Sequence, residues 1–398
     1  MSRAVALALL AMVLSGCAEP PELADWTIPV PEGTPVIQYA PVSSEQRAGK
    51  ALELRRDLVI GGDGDAASAF YLPADLAVDQ QGRIWVLDAR RFQVQVFDAG
   101  GGYLRSVGRR GEGPGELQSP QEVAIAGGRL FVITNHRMNV WNLEGEHLDT
   151  VSFGPVNQLY TVGGTPAGDL LVWHRVFEGR LVSRGRVTRV GPDGREIDQL
   201  FDVPEPRAPT IVLDGEERSP SSVLGWWIPR AVAARSGDVY VTGGDEYQIL
   251  RIDPDGRARW ALQVAWPRAE ITDEEVDSAF AELRERQPEA TREQVYSWGH
   301  QPAVVGIAAD GHDNLWVFPW VRDPLERDER PVDVYSKDGE LLFAGTIPVR
   351  RRISIVGEYT EDLRWLDALD DFVYTFGVDP QTEEHLVVRY RIAPSLRR

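Results

Sequence analysis

Two carboxylates, Asp75 and Glu122, occupy matching places in a stretch of this chain that occurs twice. Converging carboxylates can grip a cation such as Ca2+, which takes about six to eight oxygen ligands. The six histidines of the chain include His136, His174 and His300; zinc chemistry would need such imidazoles to converge. Arginines cluster with aromatics at Arg90-Arg91-Phe92, Arg137, His174-Arg175-Val176-Phe177, Trp227, Tyr247, and Trp320-Val321-Arg322. A guanidinium fork matches carboxylates and phosphates in a bidentate way, and arginines and aromatics dominate binding hot spots. The bland reading pairs these arginines with nearby carboxylates such as Asp88, Glu178 and Asp323. No Gly-x-Ser-x-Gly nucleophile motif is present. Cys17 is the only cysteine of 398 residues.

The formal net charge is −19, a poor basis for neutralising phosphates, so nucleic acid is excluded as a partner. Met1-Ser2-Arg3 is a short positive region, followed by an apolar run from Ala4 to Leu14, too short to cross a bilayer. Leu14-Ser15-Gly16-Cys17 then resembles the bacterial lipobox. The resemblance implies a signal peptide over 1–16 and a lipidated (palmitate-bearing) Cys17. It also implies anchoring in the cell envelope, with Ala18 after the cysteine pointing to the outer membrane. An acylated Cys17 leaves no thiol for disulfides or catalysis. Prolines at 20, 21, 29, 31 and 35 make 17–35 an extended tether.

The remaining 36–398 read as one all-β unit. Leu72 to Asp79, Gly82 to Asp88 and Val94 to Asp98 give three short strands broken by turns. A degraded copy runs through Ser119 to Ile125, Gly128 to Val132 and Met138 to Asn142. Pro73 and Pro120 are 47 residues apart, the size of a propeller blade. Further units follow at about 158–203, 228–266, 303–347 and 365–392, many with an Asp-Gly turn and each with an aromatic in the second strand: Trp85, Phe131, Trp173, Tyr240, Trp316, Tyr374. These aromatics are expected to pack between blades. The last unit is short of strands, so the strand-like Val36–Tyr39 and Leu52–Ile60 are expected to close it and remove the exposed edges.

The Pro-x-x-φ-Ala-Val-Asp, Gly-x-φ-Trp-Val-x-Asp and Val-Gln-Val-Phe-Asp pattern, with the connector Gly111 to Leu117, resembles NHL-type repeats. The likeness is close over about 72–155 and loose beyond. It implies a six-bladed β-propeller of the kind found in bacterial lipoproteins, a group defined by fold rather than activity.

Two insertions interrupt the repeat. Residues 205–227 are rich in proline, glutamate and serine; 268–302 read as two helices, with capping boxes at Thr272/Glu275 and Thr291/Gln294, separated at Pro288. Propeller topology puts both insertions on one face. The loops carrying Arg90, Arg91, His136, Arg137, His174, Arg175, Tyr247, Trp320 and Arg322 share that face. Resemblance to six-bladed lactonases raises an axial Ca2+ site; alignment of the inner strands places Asp75, Glu122, Leu159, Ala231 and Gly306 in equivalent axial positions. The expectation is a monomeric, membrane-anchored module without cofactor. It binds a protein, peptide or glycan on the elaborated face and is not an enzyme. The alternative is a metal-dependent hydrolase or lyase using Asp75 and Glu122.

Overall fold

A computed structural model describes residues 27–47, 50–61, 68–134, 137–152, 159–178, 182–191, 193–204, 210–213, 215–225, 229–321, 329–348, 372–379 and 382–392. It is a six-bladed β-propeller. The first blade is a four-stranded antiparallel sheet of Pro73–Val78, Ile84–Asp88, Gln93–Phe97 and Tyr103–Val107. Blades two, three and five repeat this order over Pro120–Ser152, Leu159–Pro204 and Val304–Pro348. Blade four spans Arg230–Val264, and the last blade contains Phe372–Val378 and His385–Ile392.

The turns between first and second strands and between third and fourth strands lie on one face, the turn face. There the sequence repeats a single mould. Asp98 Oδ1 accepts the amides of Gly100 and Gly102, Asn142 Oδ1 those of Glu144 and Glu146, and Asp253 Oδ1 those of Asp255 and Arg257. Such side chains stand in for a backbone turn, and the glycine that follows takes the left-handed conformation (Gly256, φ +80°). A second device fixes the large aromatics. Asp79 Oδ2 accepts the Trp85 indole N–H at 3.1 Å, and Asp310 Oδ2 accepts that of Trp316 at 3.0 Å. Each aspartate precedes its tryptophan by one hairpin, so the spacing is a consequence of the turn.

Arginines join blade to blade on this face. Arg105, Arg189, Arg251 and Arg389 donate to the carbonyls of Leu143, Pro254, Lys337 and Ala99 in the next blade. Each acceptor is the second residue of the turn between third and fourth strands. Arg389 clasps the last blade to the first and so closes the ring.

The N-terminal chain forms a belt. Leu54–Ile60 pairs antiparallel with His385–Ile392 and supplies the outer strand of the last blade, as expected. Val36–Tyr39 goes elsewhere: it adds a parallel fifth strand to blade four, pairing with Ala261–Val264. Between them, Arg47 is 4% exposed and holds Asp333 of blade five at 2.6 Å. It also donates to the Val332 and Val42 carbonyls. Tyr247 of blade four donates to the same carboxylate at 2.7 Å. Belt and two blades thus share one buried ion pair.

The insertion 268–302 has one helix of several turns, Asp273–Arg286, with the expected capping box at Thr272 and Glu275. The second expected helix is replaced by a single 3-10 turn, Arg292–Gln294, running into the strand Val295–Ser297. That strand pairs in parallel with Ser222–Leu224 of the other insertion. Backbone pairing across the two insertions outcompetes a short helix, which cannot repay its nucleation cost alone. Residues 205–209 and 226–228 of the first insertion lie outside the described residues.

Candidate functional site: the connector face

The opposite face carries the loops between second and third strands and the blade-to-blade connectors. Asp88, fully buried at the end of the second strand of blade one, organises the first of these. Its carboxylate accepts the amides of Tyr71, Leu72, Arg90 and Arg91 at 2.6–3.2 Å. The result is a tight loop with Arg90 exposed and Arg91 turned across the ring of Tyr71, 4.7 Å from its centroid. Tyr71 is 61% exposed. Beside it Phe92 adopts φ +57°, a strained conformation for a bulky residue that marks functional loops. Arg110 lies 5.2 Å over the Phe92 ring.

The connector 108–117 completes this patch. Arg109 pairs with Glu116 at 2.9 Å. Glu116 also accepts the Gly113 amide, and these contacts hold its carboxyl below the usual range. Arg137 donates to the Glu112 carbonyl at 2.7 Å. Arg90, Arg91, Arg109, Arg110 and Arg137 thus come together on a protein of net charge −19. The sequence pointed to Arg90, Arg91 and Arg137. Tyr71, Arg109 and Arg110 were missed, although Arg109-Arg110 adjoins the recognised connector at Gly111.

Other expected rim residues have different surroundings. His174 lies in the second strand of blade three, its Nε2 3.0 Å from Thr188 Oγ1. Burial lowers its pKa, so the ring is neutral at pH 7. Arg175 is opposite Gly185 in the same sheet. Its neighbour Arg186 binds Asp202 through two bonds at 2.8 and 3.0 Å. Burial alone would raise the Asp202 pKa; Arg186 and Arg184 outweigh it and lower it. Tyr247 is fully buried on Asp333, so its expected place on a ligand-binding rim is corrected to the interface between blades. Trp320 is half-buried, its amide on the Ala303 carbonyl. His300 Nε2 lies 2.7 Å from Asp245, where Arg268 also pairs with Glu246. This cluster fastens the helical insertion to blade four. His136, Trp227, Arg322 and Cys17 lie outside the described residues.

The axial carboxylates act as fasteners. Asp75, 2% exposed, accepts the Val123 amide of blade two at 2.9 Å. Glu122 accepts the amide of Thr161 in blade three, and that residue's hydroxyl at 2.9 Å. Each inner strand is thereby bound to the next. The expected ring needs a correction of register. Asp75, Glu122 and Gly306 do match, being paired with Leu87, Ile133 and Phe318. In blade four the matching partner, Thr242, faces Arg230, and Ala231 faces Val241. Leu159 likewise faces His174, one place too far along. The position of blade four that matches Asp75 and Glu122 is therefore Arg230, where the small apolar Ala231 was expected. Among the described residues, no three His, Cys, Asp or Glu side chains group closely enough to hold a metal ion.

The NHL repeat family model matches residues 70–97, the first blade hairpins and the loop shaped by Asp88. No curated protein matches the chain in sequence. Among solved structures, one of Bacteroides fragilis NCTC 9343, described as an exported protein, superposes with a TM-score of 0.52 at 11% identity. It covers 90% of this chain and 99% of its own. A member of the DUF4221 family from Bacteroides vulgatus ATCC 8482 gives 0.50 at 12% identity, over 86% and 99% of the two chains. At these identities the likeness establishes the propeller fold alone.

Proposed function

We propose that this propeller is a lipid-anchored protein of the bacterial envelope that binds a carboxylate-bearing ligand, on a peptide or glycan, through its connector face. It performs no catalysis of its own and works as a monomer. The observation that carries the reading is the pair of stacks, Arg91 on Tyr71 and Arg110 on Phe92, flanked by exposed Arg90 and Arg109. Stacking fixes a guanidinium plane before a ligand arrives, so less side-chain entropy is lost on binding. Asp75 and Glu122, the residues a metal-dependent hydrolase or lyase would use, spend oxygens on neighbouring backbone, which favours binding over that alternative. The apolar run and Leu14-Ser15-Gly16-Cys17 support export and anchoring; no helix among the described residues is long and apolar enough to cross a membrane.

The test uses soluble protein starting at residue 18, with oligoglutamate and oligogalacturonate as probes in calorimetry. Salt-sensitive binding to either probe, lost in an Arg90→Ala/Arg110→Ala variant, supports the reading. Binding to neither, or equal binding by the variant, overturns it. Elemental analysis of the same sample addresses the alternative: a stoichiometric, tightly held cation would favour the enzyme.

A further inference from the structure

The place where the chain joins the propeller is fixed. The Thr27 amide and hydroxyl both donate to Gln248 Oε1, at 2.8 and 3.1 Å. Ile28, 2% exposed, is buried among Val162, Leu171 and Val203 of blade three and Val239, Val241 and Leu250 of blade four. A Cβ at Gly243 would come within 3.2 Å of Thr27 Oγ1 and 3.3 Å of the Ile28 side chain. Gly243 belongs to the loop between Val239–Thr242 and Gln248–Ile252, a loop between second and third strands. That loop holds the end of the helical insertion, whose Ala303 and Val304 amides bond to the Asp245 and Gly244 carbonyls. The tether therefore meets the propeller on the connector face, between blades three and four.

From this we infer that the anchored protein turns its connector face toward the membrane. The inference rests on the lipidated-Cys17 reading and is independent of ligand identity. Only ten peptide links separate Cys17 from Thr27. Whatever their conformation, they reach at most about 35 Å. The fourth strand of blade four alone, Ala258–Val264, rises about 23 Å. Putting the turn face on the membrane would require the tether to pass the whole height of the blade, including its loops. That would use up most of the reach before the bilayer is met. With the connector face inward, the tether needs no such stretch.

The connector face carries charge of both signs. The helix Asp273–Arg286 on the same side exposes Asp273, Glu274 and Asp277 in its first turns. In this orientation the arginine patch of blades one and two looks into the gap between protein and bilayer. Its acidic ligand belongs to something in that gap, such as a membrane-held partner or polymer at the membrane surface.

Acylated Cys17 leaves no native thiol, so a single introduced cysteine can carry a fluorophore. Val212→Cys marks the insertion hairpin on the connector face, where Val212 is 70% exposed. Asp255→Cys marks the turn face of blade four, where Asp255 is 70% exposed. Full-length lipidated protein in vesicles, with an energy acceptor on the lipid headgroups, should give at least about twofold more transfer from position 212 than from 255. Inserting twenty Gly/Ser residues after Pro21 should shrink that difference toward nothing. Equal transfer with the native tether, or more from 255, overturns the orientation. Failure of the anchoring reading shows separately: unmodified protein then reacts with maleimide at Cys17 and does not sediment with vesicles.

Discussion

The two faces of the propeller are built on opposite principles. On the turn face, a hairpin centred on aspartate or asparagine recurs in blades one, two and four, and an arginine clasp recurs at four blade junctions. Asp253 shapes its own turn while Arg189 from the preceding blade closes on the Pro254 carbonyl beside it. On the connector face the described loops differ from one another. One insertion pairs with another, Asp88 gathers four amides in blade one and pairs with Arg91 at 3.9 Å, and Arg91 and Arg110 also lie over the rings of Tyr71 and Phe92. Repetition of a motif thus signals closure of the ring, and departure from it signals a surface available for binding.

The strongest way to separate these roles is at the belt. Arg47→Ala leaves Asp333 charged and buried, so unfolding in urea should show a loss of about 3–5 kcal/mol; probe affinity of the folded fraction should be unchanged. Asp79→Ala strips the partner from the Trp85 indole and from the amides of Gln81 and Arg83. It should cost about 1–3 kcal/mol by the same measurement. Arg90→Ala should do the reverse: stability within about 0.5 kcal/mol of the parent, with weaker binding of the acidic probes. An Arg90→Ala loss as large as that of Asp79→Ala would collapse the distinction between faces.

The smallest effect is a pH dependence. Burial lowers the folded-state pKa of His174 below its ordinary 6.5. At pH above that value both folded and unfolded forms are neutral and nothing is lost. As pH falls below about 6.5, the unfolded chain takes the proton first and stability declines, levelling off once the folded ring also titrates. Urea melts at pH 7.5 and 5.5 should show a smaller acid loss in His174→Asn than in the parent. An identical loss would show that His174 does not set the slope; Asp202, whose pKa is held below its ordinary 3.8, costs stability only at lower pH, as pH falls through that value.

Much of the fold was legible because hairpin chemistry is local. Asp79 and Trp85, or Asp310 and Trp316, stand one turn apart in sequence and in space. The axial register was not. Blades one, two and five carry a bulge just after the start of the inner strand, between Pro73 and Asp75, Pro120 and Glu122, and Val304 and Gly306. Blade four pairs Arg230 to Ala233 without one, so counting from its proline overshoots by one residue. In blade three the irregularity shifts to Thr161 and Gly163. A bulge is a property of strand pairing, and one extra residue leaves no mark on composition. Tyr247 was misplaced for a related reason: a loop tyrosine looks exposed until its partner Asp333 arrives from 86 residues away.

By itself the sequence determined the repeat, its turns, the aromatic packing residues, the position of both insertions and the face that carries them, because each follows from short-range backbone preference or ring topology. Tertiary structure alone decided that Val36–Tyr39 joins blade four, that the insertions pair as strands, that Asp75 and Glu122 bind the next blade, that Arg91 crosses Tyr71, and that Arg110 meets Phe92. These choices are made between residues far apart in the chain, where burial and hydrogen-bond satisfaction outweigh any local preference.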